Sequence, residues 1–485
     1  MAWLTLLPIL LPVLGAAILV WRRPWRRAAR QRLVLTVSGG VFLLVLVLAI
    51  WGREAGLVLL SFGEGLSLRL ELDGLGAIFA LMAALLWLPA SVYAFSYMTH
   101  EGHEDRFFTF WLLALGMTMG VALAANPVTM YLFYEGLTLS TLPLVMHTMD
   151  DAARSAGKKY ICYSMGGAAL GFCAVVYLSL CAPGGQFALG GFLPEELGEL
   201  APWLLPAFAA AFFGFGAKAA VFPLHGWLPA AGVAPTPVTA LLHAVAVVKA
   251  GVFAILRMSW YSFGPERISG TWAQQLCLAA AVFTVVYGAV MALRSTHLKR
   301  RLAYSTVANL SGILFGAMLL TPAGLSAAVI HMLNHAALKI TLFFCAGAIY
   351  FTHHKSYVHG LEGYARAMPV TFGCYVTAAV GLMGLPPLGG FLGKYLLGSA
   401  GAASGLALGY AGCGALAASS FLSALYLLSV AIPAYYPPKD AEGRCPAVRQ
   451  EAPRVMTGVL CALAGGGVLL GFFTGPLLEF LGKGL

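Results

Sequence analysis

Residues 331–348 read HMLNHAALKITLFFCAGA. The second half, ITLFFCAGA, suits the centre of a lipid bilayer. The first half carries His331, His335 and Lys339 at i, i+4 and i+8, which is one face of a helix. The stretch predicts a membrane helix that carries an ionisable stripe. Whether the stripe is glue between helices or a path for protons depends on what the rest of the chain supplies.

The surroundings fix the class. The chain has 485 residues, of which 60% are hydrophobic and 10% charged, where a soluble domain has about 25% charged residues. Apolar runs near the ~20 residues that span a bilayer recur from end to end. They predict an all-α polytopic membrane protein with fourteen spans: 2–21, 33–51, 74–98, 107–125, 127–147, 158–181, 201–222, 236–260, 272–293, 302–320, 323–351, 369–399, 404–432 and 455–481. Backbone groups in lipid must be satisfied within the segment, so the spans are helices. The first apolar run has no basic residue before it and WRRPWRRAARQR after it, which predicts a retained first helix rather than a cleaved signal. Nine cysteines are scattered without a CxxC or a Cys/His cluster, and no phosphate-cradling glycine motif opens an extramembrane domain. No metal and no cofactor is therefore expected in this chain.

A net charge of +10 could suggest nucleic acid, but the positions explain it otherwise. With the N-terminus outside, the inner loops hold 20 Lys and Arg and the outer loops and ends hold 5, with Arg257 counted among the outer ones. That is the positive-inside bias of a membrane protein with both termini outside, and no nucleic-acid partner is needed. Four of the 29 basic residues remain, Lys218, Lys249, Lys339 and Lys394, and all lie inside spans. Among the acids only Glu135 lies well inside a span, with Glu479 near the end of the last. His243, His331 and His335 also lie in spans, while His147 and His225 sit near ends or breaks.

Each mid-bilayer charge costs roughly 2.5–3.5 kcal/mol on insertion scales, so the set costs on the order of 10 kcal/mol. Snorkelling explains one lysine near a helix end but not four. One acid cannot neutralise four bases, so structural ion pairs fail as an account too. Burial favours a neutral lysine and a nearby carboxylate favours the charged one. A lysine whose carboxylate partner can approach or withdraw is then a proton switch, and histidine, which titrates near neutral pH, can pass a proton between its two nitrogens.

Two spans are interrupted. Span seven runs on into PLHGWLP from Pro223, five residues after Lys218. Span twelve contains PLGGFLG from Pro387, with Lys394 seven residues later. Proline frees a carbonyl, and such breaks survive in lipid where they face protein or a wet cavity. Two Pro/Gly-interrupted spans in corresponding positions point to a transporter built from repeats. The lysine precedes one break and follows the other, which suits inverted repeats.

The longer motifs FYEGLTLSTLPLV, KAAVFPLHGWLPAAGVAPTPVTALLHAVAVVKAGVFAILR, LAYSTVANLSGI, HMLNHAALKITLFFCAG and GLPPLGGFLGKY resemble the antiporter-like proton-pumping subunits shared by respiratory complex I, the Mrp cation/proton antiporters and membrane-bound hydrogenases. The likeness looks closest to the D-type member of the Mrp antiporters and its hydrogenase relatives. The sequence reaches only a little past span fourteen, from which a subunit type other than the largest complex I paralogue, with its long lateral helix, is expected.

The resemblance implies one transmembrane domain over 1–485, with helices one to three in 1–106. Inverted five-helix repeats follow in 107–260 and 272–432, then a loop and last helix in 433–485. It implies that Glu135 pairs with Lys218, that Lys249 with His243 begins a central relay, that His331, His335 and Lys339 continue it, and that Lys394 ends it. It implies a proton-translocating subunit, without a redox site of its own, in an energy-converting oxidoreductase or hydrogenase-type complex of a prokaryotic cell membrane. Its partners would be other membrane subunits, the lipid bilayer and protons. The alternative is a component of a multi-subunit antiporter exchanging Na+ or K+ for protons, for which Glu135 with the hydroxyls of Thr138, Ser140 and Thr141 is a thin cation site. An inactive assembly scaffold would not need the full set of lysines, and a permease for neutral solutes gains nothing from them.

Overall fold

The computed structural model describes residues 2–22, 25–52, 56–63, 65–438, 446 and 448–473. Arg23, Arg53, Lys439, Arg444, Glu479 and Lys483 of the charge census lie outside the described residues, as does span fourteen beyond Phe473.

The helices run in the order α1 Leu7–Trp21, α2 Arg27–Trp51, α3 Gly74–Glu101, α4 Glu104–Leu123, α5 Pro127–Val145, α6 Asp151–Cys181 and α7 Leu204–Gly216. The short α8 Trp227–Ala230 follows, then α9 Thr236–Ala244, α10 Val247–Leu256, a π-helical turn Arg257–Phe263 and α11 Pro265–Ile268. The remainder is α12 Trp272–Arg294, α13 Leu298–Met318, α14 Pro322–His353, α15 Tyr364–Ala367, α16 Pro369–Met383, α17 Gly389–Ala403, α18 Ala407–Tyr435 and α19 Arg454–Phe472. Among the described residues, the predicted apolar segments fall on helices or broken helices. Ten helical stretches among the described residues are long and apolar enough to cross a membrane. This is a multi-pass membrane fold.

The helix starts are written locally. Asp73, Asn126, Asp150 and Thr321 accept hydrogen bonds from the backbone N–H three residues on, at 2.9, 2.8, 2.6 and 3.2 Å. Pro127 and Pro322 occupy first-turn positions, where a missing N–H costs nothing. One addition to the all-α expectation is a hairpin, β1 Leu57–Ser61 antiparallel to β2 Ser67–Leu70. It docks on the α4–α5 turn through a Leu70–Ala124 bridge and a hydrogen bond from Arg69 N to Thr129 Oγ1.

Both expected breaks are present. After α7 the chain leaves helical geometry over 217–226, and the indole of Trp227 donates to the freed carbonyl of Ala217 at 2.7 Å. In span twelve α16 stops at Gly384, whose φ of +90° ends the helix, and α17 starts at Gly389. The peptide bonds before Pro223 and Pro387 are cis. A third break was not expected. Span eight divides between α9 and α10, where Ala246 N bonds Leu241 O, five residues back. α14 runs 32 residues without interruption through the interior, against α9, α13, α16, α17 and α19.

Candidate functional site

Glu135 projects from α5 and Lys218 from the irregular segment after α7. The Lys218 ammonium lies 3.6 Å from Glu135 Oε1, with the lysine side chain 0% and the glutamate side chain 16% exposed. Lys218 Nζ also donates to the carbonyl of Tyr134 at 2.5 Å and lies 3.3 Å from the centre of the Tyr134 ring. A cation between carboxylate, carbonyl and aromatic face is attracted by all three. The two Glu135 oxygens take no hydrogen bond, so the contact is an ion pair at a distance that a small movement closes or opens.

Lys249, at the start of α10, reaches α14. Its Nζ is 2.8 Å from Nδ1 of His335, and both residues are buried. One turn away along α14, the His331 ring is centred 6.4 Å from that of His335. One turn in the other direction, Lys339 donates to the carbonyl of Leu302 on α13 at 3.0 Å. Lys394 on α17 donates to the carbonyl of Met383, the last residue of α16, and to Ser420 Oγ on α18, each at 3.1 Å. The lysine thus takes a carbonyl that the break left without a helical N–H.

Two glycines bring these pairs together. A Cβ on Gly251 would lie 3.0 Å from the carbonyl carbon of Lys218, so α10 touches the Lys218 backbone two residues from Lys249. A Cβ on Gly393 would lie 2.8 Å from His331 Nδ1, so α17 touches His331 next to Lys394. Glu135, Lys218, Lys249, His335, His331 and Lys394 therefore succeed one another from helix to helix.

His243 and Lys339 do not fall on that line. The His243 ring, whose two nitrogens have no hydrogen-bond partner, sits 4.9 Å from the Phe343 ring, one turn beyond Lys339 on α14. They form a side branch, where the resemblance implied that His243 begins the central relay together with Lys249 and that Lys339 continues it with His331 and His335. Thr138, Ser140 and Thr141 do not gather around Glu135. They donate to Tyr134 O at 3.4 Å, Leu137 O at 3.1 Å and Leu137 O at 2.6 Å, all on their own helix. His147 and His225 lie elsewhere, against the carbonyl of Gly102 at 3.1 Å and the hydroxyl of Tyr287 at 3.2 Å.

Several partners were not found from sequence. Tyr134 and Ser420 hold lysines from neighbouring helices, and no spacing rule links residues so far apart in the chain. Arg257, assigned to an outer loop, is 1% exposed and grips Asp73 with both terminal nitrogens, the second at 2.5 Å. Rings of Phe187, Phe253 and Tyr261 lie 5.0, 4.9 and 4.8 Å from its guanidinium carbon. The signal was present, since Arg257 falls within the 236–260 apolar run and Asp73 immediately precedes another.

The family "NADH:quinone oxidoreductase/Mrp antiporter, TM" matches residues 124–417, and "NADH-Ubiquinone oxidoreductase (complex I), chain 5 N-terminus" matches 60–108. A Na(+)/H(+) antiporter subunit of Alkalihalophilus pseudofirmus is 31% identical over 350 residues, covering 68% of this chain and 42% of the relative. NADH-quinone oxidoreductase subunit L of Mycobacterium tuberculosis is 30% identical over 490 residues, covering 98% of this chain and 75% of the relative. In the Mrp complex from Dietzia sp. one chain superposes with a TM-score of 0.84 at 23% identity, over 100% of this chain and 96% of that one, a likeness of fold. With the matched residues taking in the Glu135–Lys218 pair, all three helix breaks and the α14 stripe, the chain belongs to the NADH:quinone oxidoreductase/Mrp antiporter transmembrane family.

Proposed function

We propose that this chain is an antiporter-like, proton-translocating membrane subunit that works within a larger complex, with Glu135, Lys218, His243, Lys249, His331, His335, Lys339 and Lys394 as its relay. The observation that carries the reading is the 2.8 Å contact between Lys249 and His335. It joins the half of the chain that holds Glu135 and Lys218 to the half that holds Lys394, through two groups that can each take or give a proton. Glu135 near Lys218 favours the ammonium form. Two unit charges at 4 Å attract by about 4 kcal/mol at an effective dielectric of ~20. Withdrawal of the carboxylate releases the proton toward Lys249 and His335, and His331 hands it to Lys394. Water carries it across the gaps between side chains.

Two inverted five-helix repeats, over 107–260 and 272–432, would set the two ends of this line against opposite faces of the membrane. The charge census supports both termini on the outer face of a prokaryotic cell membrane. The energy comes from partner membrane subunits, as the complexes containing the chain's structural neighbours suggest. The redox-linked reading rests on the NADH-quinone oxidoreductase relative, which aligns with 98% of the chain. The second reading, Na+ or K+ exchange for protons through the same relay, is favoured by the Na(+)/H(+) antiporter relative.

Lys218→Arg tests the relay. Arginine keeps the positive charge but does not deprotonate at working pH. Proton uptake into vesicles should fall about tenfold or more, with the complex still assembled by blot, and Glu135→Gln should fall similarly. Full uptake in Lys218→Arg would make Lys218 a structural counter-charge. A proton flux that requires Na+ or K+ on the opposite side of the vesicle would favour the antiporter reading.

A further inference from the structure

Away from the relay, two cysteines meet across a helix boundary. The Sγ of Cys374, on α16, lies 4.0 Å from the Sγ of Cys461, on α19. Both thiols are free. Cys374 is 7% exposed and Cys461 lies open on the outside of the bundle. A third thiol, Cys345 on α14, is 0% exposed and donates to the carbonyl of Thr371 at 3.4 Å. The starts of α16 and α19 are fastened together, which sets the two facing thiols level. Glu451, three residues before α19, accepts from Val370 N at 2.9 Å and from Thr371 Oγ1, and Gln450 N donates to the carbonyl of Ala367 at 3.1 Å. Cys374 is the sixth residue of α16 and Cys461 the eighth of α19. At 1.5 Å per residue both sit about 8–11 Å beyond their helix starts, within the hydrocarbon layer. The far end of α16 belongs to the relay. Its last residue, Met383, supplies the carbonyl that holds Lys394, and a Cβ on Gly381 would lie 2.8 Å from Leu338 of α14.

We propose that Cys374 and Cys461 are an oxidation site: a thiol pair that closes to a disulfide, clamps α16 to α19 and slows the relay. Closure brings the sulfurs to about 2.0 Å, and the fastened helix starts already hold the thiols face to face. The oxidant is dioxygen, which is apolar and dissolves in hydrocarbon. Two S–H bonds break and one S–S bond forms. The two electrons and two protons pass to dioxygen, which leaves as hydrogen peroxide. Glutathione and thioredoxin keep aqueous thiols reduced, but a charged peptide and a soluble protein stay out of the hydrocarbon, so a disulfide at this depth outlasts one in a surface loop. Lys394 has to leave the Met383 carbonyl before its proton passes on, and a half-helix fixed to α19 yields less to that movement. The thiol chemistry is independent of the relay, whereas its effect on proton uptake rests on the relay reading above.

The test uses vesicles of the intact complex, treated under air with copper(II)–phenanthroline, an apolar complex that carries the electrons to dioxygen. Mass spectrometry of the unreduced digest should find the Cys374 and Cys461 peptides joined. Proton uptake should fall about threefold, as expected when a conformational step is slowed, and dithiothreitol should reverse both changes. Cys461→Ala removes a thiol that lies open on the outside of the bundle. It should assemble, take up protons like the wild type, form no link and keep its uptake through the same treatment. Cys374→Ser should repeat this from the other helix. Absence of the 374–461 link in treated wild type overturns the proposal. A complete link with unchanged uptake overturns the clamp, and so does an equal loss of uptake in treated Cys461→Ala, since other thiols would then be responsible. Untreated vesicles that take up no protons would sink the relay reading instead. The link between the two peptides, with a rise in the melting temperature of the treated complex that Cys461→Ala does not share, would still uphold the pair, and its absence would overturn it.

Discussion

A buried ammonium needs an acceptor, and three of the four lysines use a backbone carbonyl: Tyr134 for Lys218, Leu302 for Lys339 and Met383 for Lys394. A carbonyl steadies a proton but does not receive it. Lys249 differs, because its partner is the imidazole of His335. Lys218 differs in another way, with a carboxylate that stands 3.6 Å off beside its carbonyl. These two lysines are the ones whose proton has somewhere to go without further rearrangement. His331 depends on Gly393, since a side chain there would meet Nδ1 at 2.8 Å and Cα at 3.1 Å. Gly393→Ala should push α17 away from α14, cost about 1–3 kcal/mol and lower proton uptake by loosening the approach of Lys394 to His331. Thermal unfolding of the purified complex and vesicle uptake measure the two effects, and an unchanged melting temperature would mean that α17 yields freely. The i, i+4, i+8 spacing made the α14 stripe legible from sequence. The carbonyl partners were not, because backbone acceptors come from other helices and leave no residue-type signature.

Among the elements, proline made the breaks of spans seven and twelve legible, since Pro223, Pro386 and Pro387 each remove a helix donor. The break in span eight carries neither proline nor glycine between His243 and Lys249, so it is imposed by tertiary contacts that propensity does not encode. The π-helical turn that ends the same span is held in part by the segment preceding α7. Ala188, Gly190 and Phe192 donate to the carbonyls of Tyr261, Trp260 and Ser262 at 3.1, 2.9 and 3.2 Å. Its first residue, Arg257, ties it to Asp73 at the start of α3. Burial pushes the Asp73 carboxyl up, but Arg257 and the Gly76 amide more than offset this and hold it below its ordinary value of 3.8. A depressed carboxylate contributes stability that is fully present above its unfolded pKa and is lost as pH falls through the folded one. Asp73→Asn should cost about 2–3 kcal/mol, less than a fully buried pair because a third of the Asp73 side chain faces solvent. The difference in melting temperature between wild type and variant should stay constant from neutral pH down to about 4 and shrink below it. A constant gap into stronger acid would remove the ion pair as its cause.

For the molecule as a whole, composition fixed the membrane class and hydropathy found the helical segments. The number of spans was less legible. α5 and α13 carry many polar or charged residues for a membrane helix, and α13 is largely covered by its neighbours, so it needs no lipid-grade surface. The hairpin at 57–70 was passed over although Gly63 and Gly65 mark its turn and leucines recur on either side. Orientation rests on the 20-to-5 split of basic residues. In a cysteine-free background, a single cysteine in 183–200 should react with an impermeant reagent in sealed right-side-out vesicles, and one in 439–454 should not. Labelling of the second position would reverse the orientation, and with it the direction assigned to the relay.

The gap between α9 and α10 carries a consequence for isotope exchange. The N–H groups of Val247, Val248 and Lys249 open a helix without a full turn of carbonyls behind them, and Val245 and Ala246 both lean on Leu241 O. All five residues are 0% exposed. Elsewhere in such an interior, unbroken backbone bonds keep amides protonated until local unfolding. If water visits the relay as it turns over, deuterium should enter at 245–249 in minutes while the flanking turns of α10 remain protected, and mass spectrometry of that peptide would record the wetting. Equal protection along the whole of span eight would show the seam between the halves to be dry, and would leave the direct Lys249–His335 contact as the crossing.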